Sequence, residues 1–170
     1  MAITYFKIAS VTVGAGGASS IDFTSIPNTY TDLVVKLSAR TTRTTTGSDW
    51  VKISFNGVST NQTMRLLYGE GSGTGSYSDS LIYSAIGSNA QTSSTFGSTE
   101  FYIPNYAGST NKSVSSDGVS ENNSATGNYL NLVAGLWSST AAINQITLTP
   151  YTGPNWVQYS SATLYGIKSS

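Results

Sequence analysis

The sequence predicts an all-β fold, and three observations carry that prediction. Apolar and polar residues alternate with a period of two through much of the chain. β-Branched and aromatic residues outnumber strong helix formers. Gly, Asn and Pro turn signals interrupt the chain at the short spacing of an antiparallel sandwich or barrel. With 170 residues the chain makes one domain, residues 1–170, able to bury roughly 68 to 70% of its unfolded surface without cross-links.

The first predicted strand covers residues 3–13 and ends in the glycine-rich turn Gly14 to Gly17; a second follows at 19–24, closed by Pro27 and Asn28. Over 31–41 Leu33, Val35 and Leu37 share one face, with Asp32, Lys36 and Ser38 mostly on the other, and Val51, Ile53 and Phe55 repeat the pattern over 50–58. Both triplets are expected to point inward. Asn56-Gly57 is the strongest short hairpin signal, although Val58 and Ser59 begin its return strand poorly. Further strands are predicted at 63–69, 80–87, 99–106, 111–119, 128–137, 143–151 and 161–168, the 128–137 segment alone admitting a short helix instead. The opening and closing strands keep apolar residues almost to the chain ends and are expected to be integral to the sheet. Two polar stretches, 69–79 and 107–128, read as exposed loops.

Composition removes most ordinary chemistry. With no Cys and no His there are no disulfides, thiolate or imidazole metal sites, cysteine nucleophiles or histidine bases. Charged residues are 9% of the chain, eight of each sign, so no net field attracts nucleic acid or an anionic membrane. The surface is a neutral coat drawn from 52 Ser and Thr, 12 Asn and 17 Gly. No apolar run approaches the roughly 18 residues of a membrane span, and MAITYFKIAS lacks the layout of a secretory signal. A soluble product of a cytoplasm is expected.

Candidate sites are sparse. The eight acids are Asp22, Asp32, Asp49, Glu70, Asp79, Glu100, Asp117 and Glu121. A histidine-free glycosidase would need two of them facing each other across a cleft, and no spacing selects a pair, so they read as solvated carboxylates. Residues 117–123 crowd oxygen ligands as a calcium loop does, but out of EF-hand register. Asn61, Asn111 and Asn122 begin sequons at the frequency chance provides in a Ser/Thr-rich chain. Arg40 and Arg43 form the one close basic pair. They read as solvated side chains that could grip a phosphate or carboxylate on a partner. Trp50, Trp137 and Trp156, with eleven Tyr, could offer stacking platforms to sugars or anchors for a subunit interface; Trp137 is expected in the core, and Trp156, beside Gly153 and Pro154, is expected to be exposed. Arg40, Arg43 and Trp156 are therefore the candidate partner contacts. There is no GxGxxG, P-loop or GxSxG motif, and no catalytic residue, cofactor or metal is assigned.

The segment 1–43, with its Gly-rich turn, IDFTSIP and YTDL strand, resembles the start of small structural proteins of tailed bacteriophages, especially those of marine and cyanobacterial hosts. TEFYIPNYAGS from Thr99, GLWSSTAAINQITL from Gly135 and the closing SSATLYGIK are similar too. The resemblance implies a virion component with a jelly-roll-like sandwich, made in a host cytoplasm and homo-oligomeric, as a trimer. Its partners would be the major capsid protein or other virion proteins. A compact domain without a heptad shaft favours a capsid decoration or cement protein over a tail fibre. The alternative is a receptor- or carbohydrate-binding module facing a host surface glycan. Exposed Trp or Tyr clustered at one end of the sandwich beside Asp and Asn would favour sugar, and an extended apolar edge would favour assembly.

Overall fold

A computed structural model describes residues 3–123 and 127–169. Twelve strands follow one another: β1 Ile3–Thr12, β2 Ile21–Phe23, β3 Asp32–Thr41, β4 Ser48–Phe55, β5 Gln62–Gly69, β6 Thr74–Asp79, β7 Tyr83–Ser88, β8 Gly97–Pro104, β9 Lys112–Ser120, β10 Tyr129–Trp137, β11 Ile146–Pro150 and β12 Ser161–Ser169. They form one open, mostly antiparallel sheet that folds into a sandwich-like pair of arrays. The larger array runs β1-β12-β3-β8-β9-β10-β5-β6, and the smaller runs β2-β11-β4-β7. The two join where the end of β3, at Arg40 and Thr41, lies parallel to Gly87 and Ser88 of β7.

The core fills the space between the arrays. Leu33, Val35 and Leu37 of β3 are buried with Phe101, Ile103 and Leu164, and so are Val51, Ile53 and Phe55 of β4 with Ile146 and Leu148. Both triplets thus point inward. Val34 is buried as well, because its cross-strand neighbours on the opposite face are Tyr102 and Tyr165. β12 lies between β1 and β3, so both chain ends are structural. β1 is an edge strand, blunted by a register shift between Lys7 and Ala9.

Three expectations are corrected. Asn56 and Gly57 do form a turn with positive φ at both residues, closed by Phe55 and Val58. The chain leaves it without a hairpin, because β4 pairs with β7 and β11 and β5 pairs with β10. The supposed loop at 69–79 is a true loop only at its start, since Thr74–Asp79 forms β6 on β5. Within the stretch 107–128 the strand predicted at 111–119 does form, as β9 between β8 and β10, so the reading of the whole stretch as an exposed loop fails there. Ser, Gly and Val alternate there, and the small inward residues are required: a Cβ on Gly118 would meet Asn131, Ser84 and the amide of Ala85. Residues 124–126 of that stretch lie outside the described residues. The 128–137 segment is the strand β10.

β7 explains several of the buried polar residues. Its outer edge abuts the inner face of the larger array, where its backbone groups meet side chains in place of a further strand. Asn131 Oδ1 accepts from the Ala85 amide at 2.8 Å, and Thr99 Oγ1 donates to the Ala85 carbonyl at 2.6 Å. Just before β7, Gln62 bridges the chain to β4, accepting from Ile82 N at 3.1 Å and donating to Ile53 O at 3.0 Å. These amides and hydroxyls seal what would otherwise be an orphaned edge.

Candidate functional site

None of the three residues singled out from the sequence offers a free partner contact of the kind expected. Arg40 is 5% exposed. Its guanidinium donates to Asn89 Oδ1 (2.9 Å) and to the carbonyls of Gln91 (3.0 Å), Thr92 (2.7 Å) and Thr95 (3.2 Å). Burial lowers its pKa, and the four oxygens replace the water it lost. Arg43 is half-buried, donating to Thr45 Oγ1 and Ser48 O and lying 3.8 Å from Asp49. Trp156 is fully buried. The Gly153-Pro154 turn sends the chain back inward, its backbone bridging Ala18 and Thr41 while its indole donates to Leu148 O. Trp137 is buried as expected.

Two other surfaces stand out instead. The first is the outer face of β9, β10 and β5. Asn131 must face inward to seal β7, so the period of two turns Leu130 and Leu132 outward. The result is an inverted strand: Asn131 is 1% exposed, and both leucines are 57% exposed. Leu132 lies directly opposite Leu67 of β5, itself 61% exposed, and opposite Asp117 of β9. Leu130 is opposite Val119, and Ala134 opposite Arg65. A shallow apolar hollow of about 780 Å³ covers Leu67, Leu132 and Ala134, rimmed by Arg65, Asp117 and serines.

The second is a cleft of about 660 Å³ at one end of the sandwich, lined by Trp50 and Tyr129 with Arg43, Thr46 and Thr92 among its polar residues. Trp50 lies on the face of β4 opposite Val51 and Ile53. Its indole meets the rings of Tyr83 and Tyr129 edge-on at 5.5 Å each and that of Tyr77 at 6.4 Å. Tyr68 packs between Tyr77 and Tyr129, and Tyr151 against Tyr83. Carboxylates anchor two phenols: Tyr129 donates to Glu70 at 2.6 Å and Tyr83 to Asp79 at 2.8 Å. The bond to Glu70, assisted by burial, pushes the Tyr129 pKa up to about 12. Burial pushes Tyr83 up as well.

The remaining acids hold backbone and side chains in place. Asp49, fully buried, accepts from Thr41 Oγ1, Gly153 N and Thr152 N. Asp32 accepts from Tyr102 and Asn105, Asp22 from Ser20 and Thr147, Glu121 from the amides of Asn122 and Asn123, and Glu100 pairs with Lys36 at 3.0 Å. Asp117 stands on the leucine face, away from any ligand cluster. Among the described residues no group of three or more acids is placed to hold a metal ion. Compared with known proteins, the chain matches no family model and no curated protein significantly.

Proposed function

We propose that this is a non-enzymatic structural protein of a tailed-phage virion, a capsid decoration protein with a jelly-roll-like sandwich that works as a homotrimer. The observation that carries the reading is the inverted strand β10. Single exposed leucines are ordinary, but Leu67, Leu130 and Leu132 are contiguous, with the exposed Val119 beside Leu130, on one face of the sheet. Covering each would contribute roughly 1 to 2 kcal/mol, scaled by exposure from the value for complete burial. Such a face suits attachment to a shell protein, where many copies act together, and the neutral coat suits a particle exposed to water and salt. Seven of the eight acids are engaged in hydrogen bonds or ion pairs that hold the fold, which supports a role without turnover. The similarity of residues 1–43 and of the closing strand to phage structural proteins supplies the particle.

The test is to add the purified chain to assembled capsids that lack it. Sedimentation with the capsid is expected, and the variant L67S/L132S, altered only on the exposed face, is expected to remain in the supernatant. A wild-type protein that stays free, or a variant that binds equally well, would overturn the proposal.

A further inference from the structure

The cleft beside Trp50 asks for its own explanation, because the protein spends two buried charges on shaping it. Arg40 uses its entire guanidinium to hold the loop around residues 89–95, which carries Thr92 into the cleft wall. Asp49 fixes Thr41, Thr152 and Gly153 and attracts Arg43, at the root of the loop that brings Thr46 to the opposite wall. Ser88 ties that second loop down by donating to the Thr46 carbonyl. Buried ionic groups are a costly way to order surface loops. Loops held rigid on a scaffold are the usual carriers of binding sites.

The chemistry of the walls selects the ligand. One side is aromatic, with Trp50 and Tyr129 fixed by their ring neighbours and by Glu70. The others present threonine hydroxyls and backbone groups. Arg43 is the one charged side chain in the lining, and Asp49 at 3.8 Å balances it. A site with an aromatic wall, hydroxyl-rich sides and no net charge fits a ligand with apolar C–H faces and a hydroxyl periphery. We infer that the Trp50 cleft binds a neutral oligosaccharide, its volume of about 660 Å³ falling within the roughly 300 to 1,000 Å³ of small-ligand sites. This site is distinct from the leucine face, so one molecule could bind a particle through one surface and a glycan through the other.

The experiment is to screen the whole chain on a printed array of neutral oligosaccharides and to titrate the best binder by isothermal titration calorimetry, with tryptophan emission followed for the wild type alone. Saturable binding is expected with a Trp emission change. W50A should weaken it at least tenfold, and W50F, which keeps an aromatic face, should restore most of the affinity. Because W50A removes packing from the tyrosine cluster, A90W serves as the second variant: Ala90 is an exposed lining residue, and an indole there fills the cleft without deleting a core ring. A90W should abolish binding, whereas L67S/L132S should leave it unchanged. An array without a neutral binder, or an affinity that A90W leaves intact, would overturn the inference while leaving the capsid proposal standing.

Discussion

Replacing Asn131 tests the reason the leucines face outward. In N131A the Ala85 amide loses its acceptor at 2.8 Å, and Ser84, fully buried, loses the donor at 3.0 Å. A buried N–H left without a partner costs about 1 to 3 kcal/mol, and the second bond contributes about 0.5 to 1.5 kcal/mol. The expected loss is therefore roughly 2 to 4 kcal/mol, a large share of the roughly 5 to 15 kcal/mol that holds a typical domain together. N131L separates the hydrogen bonds from the hole left by truncation, since leucine refills the volume but still orphans the Ala85 amide. Urea denaturation should place both midpoints well below wild type, by about 1 to 2 M for a typical slope. Hydrogen exchange should show the Ala85 amide losing protection in both. Were N131L as stable as wild type, with Ala85 still protected, β7 would need no seal and the account of the inverted strand would be wrong.

Other consequences can be checked directly. D49A should destabilise the fold by about 3 to 5 kcal/mol, because it leaves buried donors and Arg43 without their acceptor; a loss under about 1 kcal/mol by urea denaturation would contradict the anchoring role. Burial and the bond to Asp32 push the Tyr102 pKa up to about 12, as the bond to Glu70 does for Tyr129. The unfolded chain releases these protons near pH 10, so between about pH 10 and 12 the native state binds more protons and stability falls as pH rises; Y102F should flatten that slope. Deleting residues 161–168 removes the strand between β1 and β3 and should prevent soluble folding, as judged by the soluble fraction and circular dichroism. The proposed homotrimer is expected to form at micromolar concentration and to survive molar salt in sedimentation velocity, since with so few charges little of its contact energy would be Coulombic.

The parts of this protein legible in its sequence are those where local pattern and tertiary environment agree. Leu33, Val35 and Leu37, and Val51, Ile53 and Phe55, lie on strands whose apolar face is the buried one, so a period of two reports both the strand and its inside. The opening and closing strands were legible for the same reason. Pattern named the strand at β10 but not its orientation. Period two is a local property of the backbone, whereas which face is inside depends on what packs there, and the edge of β7 demanded an amide. The same dependence left β9 legible as a strand at 111–119 but not as an inner one, since its Ser and Gly read as a surface until Ser84 and Ala85 are seen pressed against them. Arg40 and Trp156 looked exposed because their neighbours in sequence are polar or turn-forming. Their surroundings come instead from residues 89–95, Ala18 and Leu148, brought together by the fold. Period-two pattern and turn spacing, with composition, determined an all-β chain with a neutral surface and no histidine or thiol chemistry. Only the tertiary structure decided that its leucines would lie outside, its asparagine inside, and its rings around one end, because burial is settled by contacts between residues far apart in the chain.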